Sequence, residues 1–529
     1  MTRMQEEAVV HSFFTSRLYR HPKSQAVLDW RRQERYTYGD LAQRANRLAV
    51  YLKEELAIQK GDRVAICAPN HMVYIDLFYA TPWTGAITTS YNGMMLPKEL
   101  EAMMLHELPR VLFYDPDFKE KIDCLRHCPA LANVVWIPLD GTYDEIVTGA
   151  ARPLDPVPIG LEDIIMLMHT GGTTGKPKGA MLSARAVMLN AIGQQNTYGL
   201  TGNDVMYGYL PFFHTATWHT IVMPLLYAGG RLVFSPKFHA KEMLDVITRE
   251  RPTMVWGVPT VYRRLAEHPD FDKTDFSSIT RCRCGAAPPP LDLMERYWAK
   301  GIQFCNGYGM TETGPGNLSI PVGELSMEEL KAKRTSCGKV MPYNEAKIIG
   351  PDGQEVAVGE KGELLLRGGV LFSGYWKDEA ATQKAMPDGW MHTGDVAQQD
   401  EDGFFYVVGR LKNMYISNGE NIFPSEIEAA LFCHGAVQDV CVIGVPDALR
   451  GEVGKAVIAC RDGMQPSVEE LRRFASEHLA SLQCPVYYAF VSEIPKTSLG
   501  KVELEKLRQI FGRPENGPGL SPDKPFQTR

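Results

Sequence analysis

At 529 residues the chain is too long for a single hydrophobic core, and several structural units are expected. Apolar residues make up 44% and charged residues 22%, an ordinary soluble balance, and a net charge of −7 leaves no basic footprint for nucleic acid. No apolar run reaches the roughly eighteen residues that span a bilayer, and an odd count of 11 scattered cysteines points to reduced thiols in the cytoplasm rather than a disulfide framework.

The first twenty residues carry acids and no continuous apolar segment, so no export leader is predicted. Leu41, Ala45, Leu48 and Leu52 then recur at helical spacing behind a candidate cap at Thr37, and Asp62 to Cys67 reads as a strand. Further strands are predicted at Ile164 to Met168, Arg231 to Phe234, Thr253 to Trp256 and Ile302 to Cys305, separated by helical or loop segments. This alternation predicts an α/β layered body. Cys282-x-Cys284 lacks a second ligand pair at zinc spacing, which argues against a structural zinc.

From about Gly338 the texture changes. Turn signals at Gly350-Pro-Asp-Gly353 and Asp400-Glu-Asp-Gly403 separate the β-rich runs Gly362 to Arg367 and Phe404 to Val408, which predicts a hairpin-rich subdomain. Beyond Arg410 a small α+β unit is expected. Its strands are Val437 to Ile443, Lys455 to Cys460 and Tyr487 to Val491, with a helix opened by a capping box at Ser467-x-x-Glu470. The tail from Gly512 is rich in Pro and Gly and reads as disordered.

The segment MHTGGTTGKPKGA, from Met168 to Ala180, concentrates glycines, threonines and lysines behind an apolar strand. A Walker loop would place Gly where Thr170 stands and Ser or Thr where Pro177 follows Lys176, so this loop is of another kind. Gly171, Gly172, Gly175 and Gly179 let a backbone approach phosphate closely. Thr170, Thr173 and Thr174 supply hydroxyls and Lys178 a charge. The competing reading is a surface turn with no chemistry.

Later stretches weigh on that choice. Asn306-Gly-Tyr-Gly-Met-Thr-Glu312 offers a ring for stacking, glycines for close approach and a carboxylate for magnesium. Asp395, in His392-Thr-Gly-Asp395, suits two ribose hydroxyls. Arg410 and Lys412 add cations, and Lys501 sits in Pro495-Lys-Thr-Ser-Leu-Gly-Lys501. Taken singly, each has a plain alternative as a turn, core or surface residue.

In this order the stretches resemble the adenylate-forming family of acyl-CoA synthetases, adenylation domains and firefly luciferase, from Tyr36-Thr-Tyr-Gly-Asp40 through to Lys501. The loop is similar to the family signature T-[SGT]-G-T-T-G-x-P-K-G, with Gly171 where Ser is common. The resemblance implies a ligase that uses ATP, Mg²⁺ and coenzyme A to activate a small carboxylic acid as acyl-AMP and pass it to the thiol. It implies an N-terminal domain of layered sheets with a β-rich subdomain over 1–409, a hinge at 410–412, and a mobile α+β C-terminal lid over 413–511.

On the same footing, Lys501 would bridge the carboxylate and the α-phosphate, and Glu312 with Thr170 would hold Mg²⁺. The run Thr170, Gly171, Gly172, Thr173, Thr174, Gly175 and Lys178 would hold phosphates. Adenine would lie between Tyr308 and the backbone of Gly285, Ala286 and Ala287, with Asn306, Gly307, Gly309, Met310 and Thr311 completing the nucleotide contacts. Asp395 and Arg410 would fix the ribose, Lys412 would mark the hinge, and Gly419 would border the coenzyme A channel. Asn306, Asn413 and Asn418 depart from the commoner family residues Gln, an acid and Gly.

Phe213, His214, Thr217 and Trp218 match the family stretch lining the acyl pocket. His214 and Trp218 would share a face on a helix. A Trp at this place closes the acyl tunnel of long-chain members, which with Gly171 favours a medium or long fatty acid. An aromatic acid of the coumarate or benzoate type is the alternative, with Trp218 then a core residue. Two readings of other classes are a non-catalytic adenylate-binding module, opposed by Glu312 and Lys501, and a unit loading a carrier protein, opposed by the lack of a carrier module.

Overall fold

The computed structural model describes residues 1–170, 178–285, 289–321, 323–496 and 502–514. Their folding separates two compact units, one of residues 1–287, 297–346 and 366–391, the other of 288–296, 347–365 and 392–529. All 11 cysteines are free thiols. Among the described residues no helix is long and apolar enough to cross a membrane.

In the first unit, helix α1 (Tyr38–Val50) opens on Thr37 as predicted. The Thr37 hydroxyl accepts from the Asp40 N–H and the Asp40 carboxylate accepts from the Thr37 N–H, a reciprocal capping box. Leu41, Ala45 and Leu48 form its buried stripe, and Leu52 continues it through a wider π turn over Tyr51–Glu55.

Among the described residues a six-stranded sheet sets β1 (Arg63–Cys67) beside the parallel β2 (Ile87–Ser90), which pairs in turn with β3 (Ile164–Thr170). Val64 to Cys67 are all buried, as a parallel strand covered on both faces requires. Helix α2 (Pro97–Glu107) follows β2. β3 pairs antiparallel with the edge strand β4 (Lys178–Ser183), Thr170 opposite Lys178 and His169 opposite Gly179. Thr170 and Lys178, the described residues on either side of the glycine-rich segment, are therefore paired at the edge of the sheet.

Helix α3 (Ala184–Tyr198) follows directly, capped by Ser183, whose hydroxyl accepts from the Ala186 N–H. A larger sheet contains the predicted strands near 231, 254 and 303, with β5 (Arg281–Cys284) parallel to β6 (Gln303–Tyr308).

In the second unit, β7 (Met391–Gln399) and β8 (Phe405–Arg410) pair antiparallel about the Asp400 turn and bring Asp395 opposite Arg410. Next, β9 (Tyr415–Ser417) and β10 (Glu420–Ile422) form a tight hairpin whose two central residues, Asn418 and Gly419, have φ of 52° and 82°. Positive φ at both places is what a type I′ turn demands, which explains Asn418 as a turn former rather than a defect.

Helix α4 (Pro424–Phe432) leads into the long hairpin of β11 (Val437–Asp447) and β12 (Gly451–Cys460). Helix α5 (Val468–His478), β13 (Tyr487–Val491) and helix α6 (Leu504–Phe511) complete the unit. The Ser467 hydroxyl accepts from the Glu470 N–H, the forward bond of the predicted box. Alternation along β11 divides the core. Val440 and Val442 pack with Ile427, Leu431 and Leu471 on one face, and Cys441 and Ile443 with Leu507 and Phe511 on the other.

Candidate active site

The predicted loop residues Gly171, Gly172, Thr173, Thr174 and Gly175 lie outside the described residues, as do Ala286, Ala287, Lys501 and the tail from 515. The stems of the loop are described and are firmly held. His169, immediately before Thr170, has its Nδ1 2.8 Å from the Ser90 carbonyl and its Nε2 2.6 Å from Glu107 Oε1 at the end of α2. The other carboxylate oxygen of Glu107 accepts from Thr89 and Tyr91 hydroxyls, each at 2.9 Å.

A carbonyl on one side of the ring and a carboxylate on the other both ask His169 to donate. Burial works against the charge, but the Glu107 carboxylate and these bonds outweigh it and leave the imidazole pKa raised. Across the ladder, a Cβ on Gly179 would stand 3.2 Å from Glu107 Oε1, so glycine makes room for the pair.

Lys178 begins β4. Its Nζ lies 3.3 Å from Asp378 Oδ2 and 5.0 Å above the Tyr375 ring. The Tyr375 hydroxyl in turn donates to Glu312 Oε1 at 2.9 Å. Burial, then the Glu312 charge, pushes the Tyr375 hydroxyl pKa well up, so it stays a donor. One aromatic residue thus joins Lys178, predicted to serve phosphate, to the predicted metal carboxylate. Glu312 itself is buried on a single turn, Thr311–Thr313, and its carbonyl accepts from the Phe372 N–H. Sequence spacing does not mark Tyr375, because the bridge pairing Ala180 with Tyr375 brings it to β4 from far along the chain.

A carboxylate so anchored, with no described hydrogen bond on Oε2, fits a magnesium site in which phosphates and water supply the other oxygens. Asn306 is buried on β6 with Oδ1 unpartnered among the described residues. Gly307 and Tyr308 end that strand. A Cβ on Gly309 would fall 1.7 Å from the Pro315 carbonyl oxygen, and one on Gly285 2.5 Å from the Trp256 ring, so both positions need glycine. Met310 precedes the Glu312 turn, and Thr311 exchanges a 2.6 Å hydroxyl contact with Thr215.

The segment expected to line the acyl pocket differs from its helical expectation. His214 stands outside the helix as its N-cap, with Nδ1 accepting from the Ala216 N–H, and a π-helical turn starts at Trp218. The two side chains therefore do not share an α-helical face. Trp218 is fully buried in an aromatic cluster with Tyr74, Phe78 and Phe212, while Phe213 is half-buried and Thr217 buried.

In the second unit Asp395 is buried and pairs with Arg410, whose Nε lies 2.8 Å from Oδ1. The two residues expected to act together on a ribose are thus neighbours across the β7–β8 ladder. Lys412, on the turn that follows, has its pKa lowered by partial burial and by Arg410. Gly419 sits at the tip of the β9–β10 hairpin, where a Cβ would meet nothing within 4 Å.

Comparison with known proteins places the chain in a family. The AMP-binding enzyme family matches residues 14–376, and the AMP-binding enzyme C-terminal domain matches 426–501. A feruloyl-CoA synthase of an Amycolatopsis species is 36% identical over 90% of this chain and 94% of its own. A long-chain-fatty-acid–CoA ligase of Bacillus subtilis is 31% identical over 94% of each. Among solved structures, ATP-bound MatB from Rhodopseudomonas palustris superposes with a TM-score of 0.86 at 28% identity, covering 95% of this chain and 98% of that one. With ordered motifs, fold and whole-length likeness in agreement, the chain belongs to the adenylate-forming AMP-binding enzymes as an AMP-forming acid–CoA ligase.

Proposed function

We propose that this ligase takes an aromatic or arylalkanoic acid, adenylates it with ATP and magnesium, and hands the acyl group to coenzyme A. A carboxylate oxygen attacks the α-phosphorus and pyrophosphate leaves; the thiol sulfur then attacks the acyl carbon and AMP leaves. The observation that carries the choice of acid is Trp218. Its indole is committed to packing with Tyr74, Phe78 and Phe212, which fits a core residue better than the end of an alkyl tunnel. Likeness to a feruloyl-CoA synthase supports the same reading. Likeness to a fatty acid ligase keeps medium or long fatty acids as the second reading.

The first step brings two anions together, so the residues must neutralise charge before they orient the reactants. Lys178, steadied by Tyr375 and Asp378, supplies a cation at the phosphate loop, and Thr170 a hydroxyl. Tyr375 fixes Glu312, which with Thr170 would hold magnesium. The ion, when bound, offsets charge on the leaving pyrophosphate. Tyr308 stacks on adenine, Asp395 accepts from the ribose hydroxyls, and Arg410 orients Asp395. Lys501 bridges the two reacting anions, then departs as residues 413–511 turn about 410–412 to admit coenzyme A past Gly419. The scattered, unpaired cysteines support a cytoplasmic setting.

The deciding experiment incubates the protein with ATP, magnesium and coenzyme A against matched panels of aryl acids and C8–C16 alkanoic acids, with thioesters identified by mass. Higher kcat/KM for aryl acids is expected. A clear preference for the alkanoic series would overturn that choice.

A further inference from the structure

Buried polar groups in folded proteins are almost always paired, and those that are not call for a ligand or another specific explanation. A group of them lies beside the Glu312 turn. Gln194, on α3, is fully buried, and its Oε1 has no partner among the described residues. Its amide nitrogen reaches Asn190 Oδ1 only at 3.5 Å. Asn190 donates to the His219 carbonyl at 2.7 Å, which ties α3 to the segment that begins at His214. In that segment the Thr217 hydroxyl and both His219 ring nitrogens are also unpartnered among the described residues, and both residues are 1% exposed.

Two contacts hold this group against the candidate site. A Cβ at Gly316 would stand 2.2 Å from Gln194 Nε2 and 3.1 Å from Asn190 Oδ1, so the backbone just beyond Glu312 lies directly on these amides. The Thr215 hydroxyl meets that of Thr311, the residue before Glu312, at 2.6 Å.

We propose that Gln194, with Asn190, Thr217 and His219, forms a neutral polar subsite that reads a hydrogen-bonding substituent on the acid being activated: a hydroxyl, an alkoxy oxygen or a ring N–H. The proposal rests on the acid-activating function and names the chemical class that function serves. The set offers amide, hydroxyl and imidazole groups and no fixed charge. Burial drives the His219 imidazole down to about 3, so it stays neutral and presents one donor and one acceptor. A second carboxylate would find no counter-charge in this set. A plain alkyl chain would leave its donors and acceptors unmatched, the circumstance in which a polar site rejects an analogue most strongly.

The test compares acid pairs that differ only in the substituent, 4-hydroxycinnamate with cinnamate and 4-hydroxyphenylacetate with phenylacetate, by kcat/KM for thioester formation. The hydroxylated partner should be preferred by at least ~5-fold, the lower end of discrimination by one buried hydrogen bond. Gln194→Leu and, separately, His219→Leu should bring that ratio towards one. A purely structural role would lower both acids of a pair together and leave the ratio unmoved. Equal use of both members by the unmodified protein, an unmoved ratio in both variants, or a preference for a plain alkanoate or a dicarboxylate would overturn the subsite. Failure of every acid to drive exchange of labelled pyrophosphate into ATP is a different result and would remove the acid-activating reading itself.

Discussion

Tyr375 shows how much a single side chain organises. Its hydroxyl fixes Glu312 while its face carries Lys178, so Tyr375→Phe keeps the ring under the lysine and releases only the carboxylate. Loss of such a supporting hydrogen bond weakens a metal site by roughly 10-fold. On the proposal that Glu312 holds magnesium, the magnesium concentration giving half-maximal pyrophosphate exchange should rise by about that factor while thermal stability barely changes; an unchanged magnesium curve would count against that role for the Tyr375–Glu312 pair. Glu428 offers a second test, on stability. Enclosure pushes its carboxyl pKa up to about 7, against acceptance of the Val442 N–H. A raised carboxyl keeps its proton in the folded state after the unfolded chain has lost it, so stability falls as pH rises from the ordinary carboxyl range through 7. Glu428→Gln should remove that slope and stabilise the second unit above pH 7, by at most about 3 kcal/mol. Urea midpoints at pH 5 and pH 8 check it, and parallel shifts at both would contradict it.

At the scale of elements, the hairpin of β9 and β10 separates backbone strain from obstruction. Gly419 is at φ 82° and a Cβ there meets nothing within 4 Å, so Leu would cost roughly 1–2 kcal/mol of local strain without a clash in the hairpin itself. If coenzyme A passes this tip, Gly419→Leu should slow thioester formation from supplied acyl-AMP and spare adenylation. Gly419→Asn, which suits positive φ, should be milder. Equal thiolation rates for Leu and native protein would take the glycine out of the channel. Strand β3 is the other telling element: the His169–Glu107 pair pins the loop's stem, and Glu107→Leu should cost about 1–3 kcal/mol by leaving the His169 ring and the Thr89 and Tyr91 hydroxyls without their acceptor. A urea midpoint close to that of the native protein would show that the pair contributes little.

For the whole molecule, the proposed division of labour predicts half-reactions that come apart. Lys501→Ala should cut adenylation by ~10² or more through loss of one charge-stabilising donor, and largely spare thioester formation from supplied acyl-AMP. Both half-reactions falling alike would contradict a lid that serves each in turn. Much of this organisation is legible along the chain. The cap at Thr37, the strand before the glycine-rich loop and the β11–β12–β13 pattern were all readable, because caps, turns and periodicity are local. Helix α6, close to the Pro- and Gly-rich tail, and the π turn at Trp218 were not.

What the amino-acid order alone determined is the chemistry carried by consecutive residues: a glycine- and threonine-rich loop after a buried strand, a carboxylate behind Tyr308, and Asp395 and Arg410 near a turn. What only the tertiary structure decided is which side chains answer one another across the chain. Tyr375 reaches Glu312 because its segment bridges to Ala180, Glu107 reaches His169 because α2 ends within hydrogen-bond reach of β3, and Trp218 is claimed by an aromatic cluster. The physical reason is that a side chain's partner is set by which strands and helices lie next to one another, and that adjacency is fixed by burial of the whole core rather than by any local spacing.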